Sequence, residues 1–359
     1  MKRSIHIFIL ILLIQFIFIV NTFADEIIIT GEAAVLIEQN TGKIIYEKNK
    51  DKKVFPASTT KIVTAILALE HGDLKDLVSI GEEIQILPGD SSTANLSIGQ
   101  KIYLEDLLYG LLLPSGNDAA NSIAVYIAEK INNEKFPSYE ESIKYFIELM
   151  NIKAREIGAT NTNFTNPHGY HDNNHYTSPI DMGIITREAM KNSKFREIVS
   201  SIKYEYIFSN KINTIKHWKN YNELLLQNSK NYYPYATGVK TGRTSEAGRC
   251  LISSATKGNL NIISALFGSN EDSVWEDSVK LLSYGIDNYR YHTIAEKGQV
   301  IIETRVKKSQ DRNKNKLKIT TNELLQVLIN KEEIPKIQKK LIIKNGKAEK
   351  ELRESNINL

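Results

Sequence analysis

Apolar and polar positions divide the chain into a strand-like start, a helical middle and a second strand-like region. Residues 33–38 and 43–47 are strand-like runs separated by Asn40-Thr41-Gly42, a turn signal, which predicts an antiparallel hairpin. In residues 59–70 apolar side chains recur three and four positions apart. This spacing predicts a helix with Ser58 in its first turn.

Helical spacing continues through residues 104–130, interrupted by Pro114-Ser115-Gly116-Asn117, and again through residues 138–157. Residues 164–179 are rich in Asn, Pro, Gly and His and predict an irregular loop that leads into a helix. Strand runs at residues 238–241, 250–255 and 261–267 precede a helical segment at 274–289. The order predicts an α+β fold, an antiparallel sheet covered by helices with an additional helical block.

After residue 289 the pattern changes to short β-like runs at 299–306 and 316–320, separated by the charged residues 307–315. We therefore predict a main domain over residues 25–290 and a small β-rich C-terminal domain over 291–359. A chain of 359 residues with 42% hydrophobic residues can bury a core in both.

The N-terminus has the composition of a secretory signal. Met1-Lys2-Arg3 precedes an apolar run over residues 7–20, and the small residue Ala24 follows, so we predict a signal peptide over residues 1–24. The run is short of the ~20 residues of a membrane span, and an uncleaved anchor is the alternative. Either reading puts the main domain outside the cytoplasm. With Cys250 as the single cysteine, no intrachain disulfide can form.

Charge is unevenly distributed. From residue 301 onward the chain has 15 Lys and Arg against 8 Asp and Glu, a net +7, whereas the whole chain has a net +4. Such a tail is suited to an anionic membrane surface or wall polymer. We expect no nucleic-acid partner.

Ser58 and Lys61 form the first candidate for chemistry. A serine hydroxyl needs a base within hydrogen-bond reach and an oxyanion hole. A lysine three residues later on a helix lies on the same face, and the helix N-terminus adds unpaired N–H groups and a positive dipole end. A buried lysine has a lowered pKa and can accept the serine proton. Alone, this spacing is common by chance.

Two further motifs narrow the assignment. Ser115-Gly116-Asn117 supplies a hydroxyl and an amide on a loop between helices, and Lys240-Thr241-Gly242 lies on a predicted strand that could bind an extended substrate at its edge. Ser-x-x-Lys, Ser-x-Asn and Lys-Thr-Gly, in this order, are the set found in β-lactamases and penicillin-binding proteins.

The chain resembles the low-molecular-mass penicillin-binding proteins that act as serine-type D-alanyl-D-alanine carboxypeptidases, from residue 33 to about 289. The matching stretches are Pro56-Ala57-Ser58-Thr59-Thr60-Lys61, Leu111-Leu112-Leu113-Pro114-Ser115-Gly116-Asn117-Asp118-Ala119-Ala120, Phe164-Thr165-Asn166-Pro167-His168-Gly169 and Gly238-Val239-Lys240-Thr241-Gly242. The resemblance implies hydrolysis of the terminal D-alanyl-D-alanine bond of peptidoglycan stem peptides, acylation by β-lactams, and no cofactor or metal.

The resemblance also implies roles for individual residues. Ser58 would be the acylated nucleophile and Lys61 its base, with Ser115 and Asn117 relaying protons and holding the substrate amide. The terminal carboxylate would be bound by Lys240 and Thr241. The backbone N–H groups of Ser58 and Arg243, the residue after Gly242, would form the oxyanion hole, and the Arg243 side chain is expected to be solvated.

Two departures from the family pattern stand out. Residues 170–175 contain less proline than is expected after Gly169, which affects loop shape and no catalytic group. Residues 349–359 are mostly polar, where many relatives end in an amphipathic membrane-associated helix. We therefore expect this anchor to be missing and the C-terminal domain to be shortened.

Other functions stay open at this point. His168, His171 and His175 cluster in one loop, as zinc ligands do, although no helical H-E-x-x-H is present. A β-lactamase would need a well-placed carboxylate and a water for deacylation, and no segment of the sequence indicates such an arrangement. A transpeptidase or endopeptidase would use the same acyl-enzyme. A non-catalytic peptidoglycan-binding scaffold would be free to lose the motif residues, all of which are present.

Overall fold

The computed structural model describes residues 27–207, 215–305, 316–336, 340–344 and 347–351. The predicted signal peptide, the charged segment 307–315 and most of the polar end 349–359 lie outside the described residues. Within the described part, no helix has the length and apolar character needed to cross a membrane.

The secondary structure follows the predicted order. The helices are α1 (Lys61–His71), α2 (Leu104–Leu112), α3 (Asn117–Asn132), α4 (Tyr139–Glu156), α5 (Pro179–Ala189), α6 (Ser193–Ser200) and α7 (Ser273–Asn288). The strands are β1 (Ala33–Glu38), β2 (Ile44–Lys48), β3 (Leu77–Ser79), β4 (Lys101–Tyr103), β5 (Lys203–Ile207), β6 (Ile215–Lys219), β7 (Ala236–Thr244), β8 (Gly248–Lys257), β9 (Leu260–Ser269), β10 (Tyr289–Ala295), β11 (Val300–Arg305), β12 (Lys316–Thr320), β13 (Leu325–Asn330), β14 (Lys340–Lys344) and β15 (Lys347–Glu351).

A five-stranded antiparallel sheet in the order β2-β1-β9-β8-β7 forms the centre of the molecule. Every residue of β1 is buried. Val35 and Ile37 belong to one hydrophobic core and Ala34 and Leu36 to another, because successive side chains of a strand point to opposite faces. A strand covered on both faces reads as a continuous apolar run. Strand β7 lies at one edge of the sheet.

Helices cover both faces of this sheet. Helix α7 packs on β8 and β9, and α5 packs on β1 and β9. Helices α1 to α4 form the helical block, whose apolar residues share a core with one face of the sheet. The predicted α+β fold, a sheet covered by helices with a helical block, is confirmed by this architecture.

The start of α1 differs from the prediction. Ser58 lies in a 3-10 turn, Ala57–Thr60, that precedes the α-helix. The hydroxyls of Thr59 and Thr60 donate to the carbonyls of Pro56 and Ala57 at 2.7 and 2.8 Å. These bonds reach back three residues, the repeat of a 3-10 turn. Ala57 has a positive φ of 48°, so regular helix cannot extend through it.

Beyond the sheet, the chain continues in small antiparallel pairs. Strand β10 pairs with β13, β11 with β12, and β14 with β15. The β-rich character expected after residue 290 is therefore present in the described residues. The domain boundary itself stays a prediction.

Candidate active site

Ser58 lies at the centre of the site, on the 3-10 turn at the start of α1. Its side chain is half-buried, whereas Ala57, Thr59 and Thr60 are buried. Ala57 holds a left-handed backbone conformation that costs a non-glycine residue of order 1–3 kcal/mol. Strain of this kind next to a serine that faces a cleft is typical of a functional site.

Lys61 is buried, and its Nζ lies 3.1 Å from Ser58 Oγ. The same nitrogen donates to Asn117 Oδ1 at 2.6 Å and to the His168 carbonyl at 2.8 Å. A neutral amine has two hydrogens and one lone pair. With both hydrogens given to these oxygens, the lone pair is left to accept the Ser58 hydroxyl proton.

The electrostatic surroundings favour the neutral amine. Burial lowers the pKa of Lys61 well below its usual value, and the nearby charge of Lys240 lowers it further, while Asp118 opposes both effects. Because each effect acts on the charged form, Lys61 is suited to act as a base.

Ser115 lies between α2 and α3, where the sequence predicted a loop, and Asn117 follows at the start of α3. Ser115 has a positive φ of 62°, and Asn117 is the first residue of α3. Both are buried. Since Asn117 Oδ1 accepts from Lys61, its amide N–H groups are the donors it can offer to a ligand.

The other wall of the site is edge strand β7. A Cβ atom on Gly242 would lie 3.1 Å from the Ser58 nitrogen and 3.2 Å from the Pro56 oxygen, so β7 runs directly against the nucleophile's backbone. Thr241 is half-buried and Arg243 is exposed, as expected for the Arg243 side chain. The absence of a side chain at Gly242 allows this close approach.

Lys240, one position before Thr241, is buried. Its Nζ donates to the Thr241 carbonyl at 2.9 Å. Burial lowers the pKa of Lys240 to about 7. The two lysines of the motifs are therefore both held in dry surroundings, on opposite walls of the site.

A cleft of about 600 Å³ opens over the nucleophile. Among the residues that line it are Ser58, Ser115, Thr241, Gly242 and Arg243. A second cleft of about 200 Å³ adjoins it, and is also lined by Ser58, Asn117 and Arg243. Of the eight predicted catalytic and substrate-binding residues, six line these clefts, and the other two, Lys61 and Lys240, are buried.

Two of the three clustered histidines, His168 and His175, form hydrogen bonds within the fold, whereas the buried Nδ1 of His171 has no hydrogen-bond partner among the described residues. His175 Nδ1 accepts from the Thr165 N–H at 2.9 Å and its Nε2 contacts Thr60 Oγ1 at 2.8 Å. His168 Nδ1 accepts from the Tyr170 N–H at 3.1 Å. Across the described ranges, no group of three or more His, Cys, Asp or Glu side chains is arranged to hold a metal ion. His168 and His175 thus stabilise the loop that packs around Ser58.

Sequence reasoning missed the support of the loop that faces Ser58. Asp118, directly after Asn117, accepts the N–H groups of Ala94 and Leu96 at 2.7 and 3.0 Å. Trp218 donates from Nε1 to the Ala94 carbonyl at 3.0 Å. Both side chains are buried and fix one rim of the cleft.

Trp218 is held by a hairpin, β5 and β6, that was not predicted. Its ring stacks on Tyr206 with centroids 5.5 Å apart and an interplanar angle of 2°. The signal was present: Tyr204 and Tyr206 alternate with charged residues, as expected for a half-buried strand. Apolar periodicity alone does not reveal which loop such a hairpin supports.

The fold and this site define a serine acyl-transfer enzyme of the penicillin-binding type. The sequence profile of peptidase family S11, D-alanyl-D-alanine carboxypeptidase, matches residues 20–271. The D-alanyl-D-alanine carboxypeptidase DacF of Bacillus subtilis is 33% identical over 330 residues, which cover 90% of this chain and 78% of that protein.

Solved structures of two related proteins have the same fold. The Streptomyces K15 DD-transpeptidase superposes with a TM-score of 0.65 and 32% identity, over 72% of this chain and 98% of that one. Penicillin-binding protein 5 from Haemophilus influenzae superposes with a TM-score of 0.70 and 31% identity, over 88% and 87%. The chain belongs to the D-alanyl-D-alanine carboxypeptidase family of serine peptidases. The predicted family and enzyme class are confirmed, and members of this family act on peptidoglycan outside the cytoplasm.

Proposed function

We propose that the chain removes the terminal D-alanine from peptidoglycan stem peptides through an acyl-enzyme on Ser58, with Lys61 as the base. One observation carries the proposal: Lys61 Nζ lies 3.1 Å from Ser58 Oγ while two oxygens take its hydrogens. The lowered pKa of Lys61 supports the same assignment.

In acylation, the lone pair of Lys61 takes the Ser58 proton as Oγ attacks the carbonyl of the penultimate D-alanine. The backbone N–H groups of Ser58 and Arg243 receive the oxyanion. The close approach of β7 to the Ser58 turn supports this pairing, since a Cβ added at Gly242 would lie 3.1 Å from the Ser58 nitrogen. The leaving D-alanine amine takes a proton through Ser115, and the Asn117 amide holds the substrate backbone. Water then hydrolyses the ester.

Recognition of the terminal carboxylate falls to the β7 wall. Lys240 and Thr241 are the proposed receptors. Arg243 and Arg249 are register partners on β7 and β8 and both line the 600 Å³ cleft. Arg249 is already paired with Glu271, and the exposed Arg243 side chain adds positive charge at this end of the cleft that favours a carboxylate. A carboxylate at this end directs the scissile bond towards Ser58.

The direct test is D-alanine release from a pentapeptide ending in D-Ala-D-Ala, with and without a chelator. We expect release that a chelator does not change and that is absent in Ser58→Ala. Release that stops with chelator would instead favour a metal enzyme. Adding an amine acceptor distinguishes transpeptidation, the activity named for the Streptomyces K15 structure, because the same acyl group would then appear in a new amide.

The proposed location is the outer face of the cytoplasmic membrane or the cell wall. The net +7 of residues 301–359 supports electrostatic attachment to anionic lipids or wall polymers, which weakens as the Debye length falls from ~10 Å at 0.1 M salt to ~3 Å at 1 M. Fractionation tests this. We expect the processed chain to be released by 1 M salt, about the screening limit, and full-length chain retained in the pellet would contradict it.

A further inference from the structure

A chain of buried hydrogen bonds leads from the histidine loop to the backbone of the nucleophile. His175 Nε2 lies 2.8 Å from Thr60 Oγ1, and Thr60 Oγ1 lies 2.8 Å from the Ala57 carbonyl oxygen. Ala57 and Thr60 lie in the family-matching stretch Pro56–Lys61 but have no role assigned to them above, and His175 lies outside the matching stretches. The hydrogen bond between His175 and Thr60 joins residues that are 115 positions apart in the sequence.

The direction of the chain follows from the donors available. The Thr165 N–H points at His175 Nδ1, so Nδ1 is the acceptor nitrogen, and in a neutral imidazole Nε2 then bears the hydrogen. His175 Nε2–H therefore donates to Thr60 Oγ1. The Thr60 hydroxyl in turn donates to the Ala57 carbonyl, which has no hydrogen to give. Burial lowers the pKa of His175 to about 3, consistent with a neutral ring.

The Ala57 carbonyl and the Ser58 N–H are the two ends of one peptide group. Because a peptide group is planar, a bond that fixes the carbonyl also fixes the direction of the N–H. A donor on the carbonyl oxygen also polarises the amide and strengthens its N–H as a donor. The Ser58 N–H is the proposed oxyanion donor, so both effects act on the oxyanion hole.

The surroundings make the chain stiff and dry. Ala57, Thr60 and His175 are each no more than 2% exposed. The loop packs onto the same carbonyl: a Cβ atom on Gly169 would lie 1.8 Å from the Ala57 oxygen. Hydrogen bonds in such low-dielectric surroundings are stronger than in water.

The geometry points to Thr60 and His175 as positioning residues that orient and polarise the Ser58 N–H of the oxyanion hole. This inference rests on the proposed function, since it assigns a role within the same acylation step. Neither residue contacts the reacting atoms. Both act through the Ala57–Ser58 peptide group.

The neighbouring threonine provides a matched control. Thr59 is also fully buried, and its hydroxyl donates to the Pro56 carbonyl at 2.7 Å. That carbonyl belongs to the preceding peptide group and also accepts from the Thr59 N–H at 3.2 Å. Thr59→Val and Thr60→Val thus remove the same kind of buried bond from adjacent peptides, and only one of these peptides contains the Ser58 N–H.

The experiment measures saturation kinetics of acylation by a fluorescent penicillin in Thr60→Val, Thr60→Ser and Thr59→Val. We expect Thr60→Val to lower the acylation rate constant by about 10- to 30-fold, a fraction of the loss caused by removing an oxyanion donor outright, with little change in the dissociation constant. Thr60→Ser restores the hydroxyl and should stay within about threefold of wild type, as should Thr59→Val.

Infrared spectra of the acyl-enzyme give a readout that loss of stability alone does not change. A weaker oxyanion hole leaves the ester carbonyl less polarised, so its stretching band should move to higher frequency in Thr60→Val and stay in place in Thr59→Val. His175→Asn, which keeps an acceptor for the Thr165 N–H but cannot reach Thr60, should shift the band in the same direction by a smaller amount.

The results of these experiments distinguish a failure of this inference from a failure of the proposed function. Equal acylation rates and equal carbonyl bands for Thr60→Val and Thr59→Val, in folded protein, would overturn the inference and leave the proposed function intact. If Thr60→Val does not fold, the His175→Asn band decides: no shift overturns the inference. A wild-type protein that the penicillin does not acylate would overturn the proposed function, and this inference with it.

Discussion

The two walls of the cleft hold one buried lysine each, but they hold it in different ways. On the helical wall, Lys61 Nζ contacts Ser58 Oγ, Asn117 Oδ1 and the His168 carbonyl. On the β7 wall, Lys240 Nζ donates to the Thr241 carbonyl. The strand packs against the backbone of Ser58 at Gly242.

This difference indicates that Lys61 and Lys240 have different roles. Three oxygens around Lys61 fix the direction of its lone pair, which a proton acceptor requires. Lys240 is buried with fewer bonds, so it has donor capacity for an anion. The same residue type can therefore serve proton transfer on one wall and recognition on the other, because the neighbouring groups differ.

The largest expected effect comes from Lys61→Arg. Arginine keeps the charge but has no accessible neutral form, so acylation by penicillin should fall by at least about 10³-fold, within the range for a lost general base. Stopped-flow fluorescence measures the rate. Lys48→Arg is a suitable control, since Lys48 also donates to two carbonyls but lies outside the site. Acylation of Lys61→Arg at the wild-type rate would mean that another group is the base.

The two glycines that contact the Ser58 turn offer a sharper comparison. Gly169 has a φ of 88°, and an added Cβ would lie 1.8 Å from the Ala57 oxygen; at Gly242 the nearest approach is 3.1 Å. Gly169→Ala should therefore lower acylation by about 10²-fold and also lower Tm, since a strained backbone costs about 1–3 kcal/mol. Gly242→Ala should cost about tenfold in acylation with a smaller change in Tm. The reverse order, measured by penicillin labelling and thermal unfolding, would show that the β7 wall is the more tightly packed.

Lys240→Arg should have the smallest effect on the rate and the clearest effect on pH dependence. Arginine still pairs with a carboxylate, so we expect about a tenfold loss in kcat/KM at neutral pH, mainly through KM. Under the proposed role, it is the protonated form of Lys240 that binds the carboxylate, so kcat/KM of the wild type should fall as pH rises above the Lys240 pKa of about 7. The rising limb of kcat/KM should follow the loss of the Lys61 proton, at a pH well below the usual pKa of a lysine.

Arginine stays protonated, so the falling limb should disappear in Lys240→Arg while the rising limb, set by Lys61, remains. A carboxylate bound next to Lys240 raises the pKa of that lysine. The falling limb should therefore lie at higher pH in kcat than in kcat/KM. A falling limb unchanged in Lys240→Arg would assign it to another group.

The sequence allowed the sheet, the helical block and the motif residues to be predicted, because each depends on local periodicity or on a short spacing. The continuous apolar run of β1 and the three-residue interval from Ser58 to Lys61 are examples. Contacts between distant segments could not be predicted in this way. Lys61 and Asn117 are hydrogen-bonded although they are 56 positions apart in the sequence. That the two side chains share one site was inferred from the family pattern.

Features outside the motifs were harder to predict. The contact of His175 with Thr60 depends on how residues 164–179 fold back over α1, and nothing in the composition of the loop specifies it. The histidines there raised the question of a metal site, and Nδ1 of His168 and of His175 each accepts a backbone N–H. The burial of Lys240 likewise follows from packing of the sheet edge, since a lysine in a strand-end tripeptide is more often solvated.

The central claim is that Ser58 carries the acyl group. The most direct measurement is the intact mass of the protein after exposure to benzylpenicillin, with peptide mapping of the adduct, for wild type and Ser58→Ala. We expect one adduct per wild-type chain, located on Ser58, and none in a folded Ser58→Ala protein. An adduct that persists in Ser58→Ala, or maps to another residue, would contradict it.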